Sequence, residues 1–267
     1  MARRGGADSA RAGPARRRGL AAHDLLERTL SRLREERGSA RLDETSLARA
    51  REILDEEVRA AADRGLRLSV DPARDRSVLR RLQADLLRYL RRSAERPTPF
   101  APEHFELVFG GRDDDLPALA LDGLAVRGRI DRVDLDGAGH AAVVDYKGSQ
   151  AYPVAKWAPD GRLQVALYML AVRELLGVEP VAGFYQATSG REQDMRGVVR
   201  EDSGLAVYAV KTDRVSADEL DAVLGDAAAR AEEVAQRLLA GALEANPESC
   251  GWENKCQYPE VCRCERR

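Results

Sequence analysis

The stretch Val143–Ser149 reads VVDYKGS, two valines running into an acid, an aromatic, a base and a glycine. Side chains along a strand alternate faces, so Asp145 and Lys147 project from the same side. A further carboxylate, Asp131 of the stretch GRID, precedes them across the turn sequence DGAG (Asp136–Gly139). An antiparallel hairpin closed by that turn carries Asp131 to the edge where Asp145 and Lys147 lie. Two carboxylates converging at one sheet edge repel each other unless a cation sits between them. Oxygen donors of this kind suit Mg²⁺ or Mn²⁺, with water completing the shell. An ion so held polarises a phosphoryl oxygen and acidifies bound water, while a neighbouring ammonium orients that water or shields developing charge. Such a constellation hydrolyses phosphodiesters; the plainer alternative is an Asp–Lys ion pair at a strand end.

The elements that must position these groups follow from pattern. Three helices occupy the first hundred residues: Gly19–Gly38 with Leu26, Leu30 and Leu33 on one stripe, Asp43–Gly65, and Asp75–Pro97 with Leu79, Leu82, Leu86 and Leu90 turned inward. Strands are predicted over His104–Gly110, Leu119–Leu135 and His140–Gly148. A helix over Gly161–Leu176 follows, then strands at Val181–Thr188, Met195–Arg200 and Ala206–Lys211, and a helix from Ala217 to about Leu243. The reading is an α/β mixed sheet flanked by helices, with an N-terminal helical layer, in one domain spanning 19–267. Residues 1–18, rich in Arg, Gly and Ala, read as a disordered basic tail. The helix around LQVALYMLA (Leu163–Ala171) is apolar almost all round, which predicts burial. A buried Gln164 amide without partners costs about 1–3 kcal/mol. Gln164 and Tyr168, four apart, share a helix face and reach toward a phosphate backbone or the lysine, or else toward a neighbouring strand.

Composition narrows the function classes. Apolar residues make up 44% and charged residues 33%, the profile of an ordinary globular chain. No apolar run approaches the roughly 18 residues of a membrane helix, and the N-terminus has no apolar core of a secretory signal. The expected compartment is the cytoplasm. Net charge is −2, so affinity for nucleic acid depends on local basic patches such as Arg80, Arg81, Arg88, Arg91 and Arg92 on the third helix. Of 43 basic residues only four are lysine, Lys147 among them, and only lysine offers a compact ammonium with a tunable pKa. Cys250, Cys256, Cys262 and Cys264 fall together near the C-terminus (249–264), a clustering that points to a metal or iron–sulfur centre before a disulfide pair.

The ordered set of motifs resembles the PD-(D/E)XK nuclease superfamily in its RecB-like branch, most nearly the C-terminal nuclease domain of AddB-type helicase–nuclease subunits. GRID with VVDYKG resembles the core of that family. RGLAAHDLLE (Arg18–Glu27) is similar to its histidine helix, PEHFELVFG (Pro102–Gly110) to the strand before the core, and LQVALYMLA to its Gln-x-x-x-Tyr helix. The resemblance implies a metal-dependent DNA nuclease with Asp131, Asp145, His23 and the Tyr146 carbonyl on the ion. It implies catalytic roles for Lys147, Gln164 and Tyr168, and a second-tier acidic position at Glu106. It further implies exonuclease-type action in recombinational repair, on single strands or duplex ends, with a helicase partner and little sequence preference. The C-x5-C-R piece at Cys256–Arg263 is similar to the family's [4Fe–4S] segment. The first gap is five residues where two are usual, and no cysteine precedes the histidine helix. Cys264 as substitute ligand, a tetrahedral Zn²⁺ site or free thiols are the alternatives. The competing functional reading is a non-catalytic DNA-binding or assembly module on the same fold.

Overall fold

The computed structural model describes residues 14–69, 71–111 and 116–242. Three helices, α1 (Pro14–Arg37), α2 (Leu47–Asp63) and α3 (Pro72–Ala94), precede a strand β1 (Ala101–Phe109). A short hairpin, β2 (Leu119–Leu121) and β3 (Leu124–Val126), leads to β4 (Gly128–Leu135) and β5 (His140–Lys147). Helix α4 (Gln164–Leu176) links β5 to β6 (Glu179–Ala187), followed by β7 (Met195–Arg200), β8 (Arg214–Val215) and α5 (Ala217–Leu239). The main sheet has six strands in the order β1-β4-β5-β6-β7-β8. β4 pairs antiparallel with β1 and β5, β5 runs parallel to β6, and β6 is antiparallel to β7. A parallel pair needs a crossover, and α4 supplies it.

Both faces of the sheet are covered, which is why β5 is apolar on both sides. On one face α1, α2 and α3 bring Leu26, Leu30, Leu54 and Leu86 against Val144 and Phe184. On the other, α4 and α5 bring Val165, Met169, Leu220 and Leu224 against Val143, Tyr185 and Val198. The β4–β5 turn is held by Asp136, whose Oδ1 accepts from the Ala138 and His140 N–H groups at 2.7 and 3.0 Å. Gly137 and Gly139 take positive φ there. Helix α5 opens with a reciprocal capping box between Ser216 and Glu219.

The mixed, helix-flanked architecture agrees with the sequence reading, and four details correct it. Helix α1 begins at Pro14, inside the stretch read as tail; proline suits a first helical position and the Ala/Arg run that follows is strongly helix-forming. The span Leu119–Leu135 is no single strand, because Asp122–Gly123 turns it into the β2–β3 hairpin before β4. The strand expected at Ala206–Lys211 is replaced by 3₁₀ turns at Ala206–Tyr208 and Lys211–Asp213. The cause is Asp213, whose buried carboxylate accepts from Arg196 Nε at 2.7 Å and from the Gly197 N–H at 3.2 Å. That anchor pulls the segment over β7 and leaves only Arg214–Val215 to pair. The last helix, expected to run to about Leu243, ends at Leu239, and Gly241 takes a positive φ of 78° just beyond it. The remaining tail and Cys250, Cys256, Cys262 and Cys264 lie outside the described residues. Among the described residues no helix is long and apolar enough to cross a membrane.

Candidate active site

The notch forms where the β4–β5 ladder stops. Regular pairing reaches Arg132 opposite Val144 and goes no further. Beyond it, the Asp131 carboxylate replaces the next backbone acceptor: its Oδ2 accepts the Tyr146 N–H at 2.7 Å. Asp131 is thereby fixed against the residue between Asp145 and Lys147. Those two share a face, as strand alternation requires, with Lys147 Nζ 2.5 Å from Asp145 Oδ2. The ammonium is the close partner of the buried Asp145 Oδ2. The ammonium also donates to Gln164 Oε1 at 3.1 Å, and lies 5.4 Å from the centre of the Tyr185 ring. Gln164 in turn donates from Nε2 to the Tyr168 hydroxyl at 3.1 Å.

Gln164 departs from expectation in one respect: it is exposed, not buried. The helix starts at Gln164 itself, three residues later than predicted, so its side chain sits in the first turn at the rim of the notch. Tyr168, one turn further in, is half-buried against Phe109.

Glu106 and His23 complete the cluster from opposite sides. Glu106 sits between Phe105 and Leu107, whose partners Arg132 and Ile130 flank Asp131. Its φ of 49° is in the left-handed region, uncommon for a non-glycine residue. The turn reverses strand alternation, for Phe105 packs with the α1–α3 core while Leu107 packs with the α4–α5 core. Glu106 is thus aimed along the sheet edge toward Asp131, with Arg129 3.2 Å from its Oε2. From α1, His23 places Nδ1 3.4 Å from Asp131 Oδ1 and Nε2 3.1 Å from the Tyr146 carbonyl oxygen. Both neighbours are acceptors, so the doubly protonated imidazolium satisfies them best.

One ligand atom each from His23, Glu106 and Asp131 lies within 4.8 Å of the others. Ligands on opposite sides of an ion bound at about 2.1 Å are about 4.2 Å apart, so the spacing of this set is close to that of an Mg²⁺ or Mn²⁺ shell. Hard oxygens plus one imidazole suit such ions. Asp145 stands outside this group of three because its carboxylate is turned to Lys147, although it couples electrostatically to Asp131 and His23.

Titration reflects the crowding. Burial first, then the charge of Asp131, pushes Asp145 up to about 6 despite Lys147. Burial and Asp131 likewise raise Glu106. Burial works against the charged form of His23, but the hydrogen bond and charge of Asp131 outweigh it and hold the imidazole above its usual value. A proton on His23 and a cation among the carboxylates therefore answer the same excess of negative charge.

The family model of the PD-(D/E)XK nuclease superfamily matches residues 2–263. The chain belongs to the PD-(D/E)XK nuclease superfamily. No curated protein matches it at a significant level. Members of this superfamily are usually nucleases dependent on Mg²⁺ or a similar divalent ion, and the six-stranded mixed sheet agrees with their fold.

In this PD-(D/E)XK chain the sequence reading missed the groups behind the notch. Arg132, 9% exposed, is sealed on the reverse face of β4. Its guanidinium pairs with Asp134 (Nε to Oδ1 2.7 Å, Nη2 to Oδ2 3.0 Å) and donates from Nη1 to the Tyr146 hydroxyl at 2.8 Å and to the Tyr89 hydroxyl. The network grips the ring of Tyr146, the residue whose backbone joins Asp145 to Lys147. Its signal in sequence was GRIDRVDL itself: a core strand with Arg and Asp two apart, which alternation sends to one buried face.

Proposed function

We propose that the chain is a Mg²⁺- or Mn²⁺-dependent deoxyribonuclease that hydrolyses phosphodiester bonds with this notch. The observation that carries the reading is the convergence of His23, Glu106 and Asp131 on one point beside the Asp145–Lys147 pair. In this reading His23, Glu106, Asp131 and Asp145, with the Tyr146 carbonyl, are the groups that hold the ion. When bound, the ion neutralises charge on the phosphoryl oxygens and acidifies water. Lys147 orients the attacking water and shields charge that develops on the phosphate. Gln164 Oε1 fixes the ammonium, and the Tyr168 hydroxyl fixes the Gln164 amide. Water adds to phosphorus, the P–O bond to one sugar oxygen breaks, and that oxygen leaves protonated.

Motif order supports placement in the RecB-like branch near AddB-type nuclease domains, and with it exonuclease-type action in recombinational repair. The sequence holds no GxxxxGK[ST] motif, so strand separation would fall to a helicase partner. A [4Fe–4S] cluster on Cys250, Cys256, Cys262 and Cys264 rests on their clustering in sequence; an absorption spectrum after anaerobic purification, with metal analysis, separates it from Zn²⁺. The nuclease reading is tested with end-labelled single-stranded DNA in Mg²⁺ or Mn²⁺ against EDTA. Cleavage by wild type that EDTA and Asp145→Ala both abolish is expected. An inert wild type, or equal cleavage by Asp145→Ala, leaves the non-catalytic DNA-binding module.

A further inference from the structure

Helix α3 passes behind the notch with its arginines toward the β6–β7 hairpin, and two hollows open between them. Arg81, Arg88 and Arg92 follow at i, i+7 and i+11, one helical stripe, with Arg96 in the turn just beyond the helix. The first hollow, about 840 Å³ of open space, is bounded by Arg81, Asp85 and Arg88 on the helix and by Gly190 and Arg191 on the hairpin tip. That tip lies directly against the residues following Lys147. Thr188 N–H donates to the Lys147 carbonyl at 2.9 Å, and Ser189 N–H to the Gly148 carbonyl at 2.8 Å. The second hollow, about 650 Å³ with its open solvent, lies further along the same stripe and is lined by Arg92, Arg96, Phe184, Met195 and Tyr208, with Arg132 and Asp134.

Charge and chemistry agree on what this trough takes. On α1 and α2, Arg28, Arg32 and Arg49 are matched to carboxylates. Arg81, Arg92, Arg96 and Arg191 have no carboxylate within ion-pair distance among the described residues. The two acids lining the hollows are paired, Asp85 with Arg88 at 2.8 Å and Asp134 with Arg132 at 2.7 Å. Gln193, only 4% exposed and at a φ of 46°, bridges the two hollows. Its amide donates to the Asp85 and Thr188 carbonyls at 2.7 and 2.8 Å, and its Oε1 is a buried acceptor with no partner. A row of unmatched guanidiniums beside an aromatic and apolar recess is the pattern that holds a nucleic-acid backbone and its unstacked bases.

Building on the nuclease reading, we propose that this trough carries one nucleic-acid strand to the notch, its phosphates on Arg81, Arg92, Arg96 and Arg191 and a base in the Phe184–Tyr208 recess. A duplex, whose bases are stacked inside, cannot fill the recess, so the trough selects single strands. The test is fluorescence anisotropy of a labelled oligodeoxythymidylate, and of a blunt duplex of equal length, over a range of salt with the full chain in EDTA. The pairs Arg92→Ser/Arg96→Ser and Arg81→Ser/Arg191→Ser should each weaken single-strand binding. Each pair should flatten the slope of log affinity against log salt by about 1.4, at about 0.7 per phosphate contact. Duplex binding should fall less, and the control Arg51→Ser/Arg64→Ser, on α2 and just past its end, should change neither. Slopes equal to wild type, an equal effect of the control, or a duplex loss as large as the single-strand loss would overturn the proposal. A wild type that binds through these arginines but cuts nothing contradicts the nuclease reading alone. One that cuts while the variants bind normally contradicts the trough alone.

Discussion

Asp145 carries its charge at the expense of stability. Its carboxyl rises from 3.8 to about 6, and at about 1.4 kcal/mol per pKa unit the ionised form costs the ion-free fold about 3 kcal/mol at neutral pH. Between those two values the folded protein binds more protons than the unfolded chain. Stability from this group therefore falls as pH rises from about 4 to about 6, and stays lost above. Asp145→Asn should raise the urea midpoint in EDTA at pH 7 while abolishing cleavage, and the gain should vanish as the pH approaches 4; a variant less stable than wild type at pH 7 contradicts this. Lys147→Met, by contrast, should lose cleavage yet keep ion binding, because the ammonium is no ligand. At this scale Asp131, Asp145 and Lys147 were legible, because alternation and a hairpin turn are enough to bring them together. Glu106 was only half legible: its place depends on a left-handed φ that no residue type announces. The exposure of Gln164 was hidden because it turns on where the helix begins.

Among elements, the notch depends on how closely β4, β5 and β6 are backed. A Cβ on Gly183 would meet Met169 Sδ at 2.3 Å, and one on Gly197 would meet the Gly183 carbonyl oxygen at 2.0 Å. Only bare backbone lets α4 lie against β6 at the depth from which Gln164 reaches Lys147. Gly183→Ala should cost about 1–3 kcal/mol through overpacking, read by urea denaturation; an unchanged midpoint would show that α4 has room to spare. On the reverse face, Arg132→Met leaves Asp134 buried and unpaired, a loss of about 3–5 kcal/mol, whereas Arg132→Met/Asp134→Leu should recover most of it. Helices and central strands were readable from their periods. The segment after β7 was not, since its valines suggested a strand while Asp213 drew it into turns through contacts from Arg196 and Gly197.

In the whole molecule, the sheet separates two packed layers, and the groups around the notch come from both and from the sheet itself: His23 from α1, Gln164 from α4, and Glu106, Asp131 and Asp145 from strands. The notch is therefore complete only when both layers are packed on the sheet. An ion that binds only the folded state adds RT ln(1 + [ion]/Kd) to stability. The measurement that bears most directly on the account is Mn²⁺ titration of the metal-free protein, followed by calorimetry and by the paramagnetic signal of the ion. A site held by His23, Glu106 and Asp131 should lose affinity on the order of tenfold or more with Asp131→Asn or Glu106→Gln, and should weaken as His23 protonates on acidification. Mn²⁺ binding that is absent in wild type, or that both substitutions leave untouched, would contradict it.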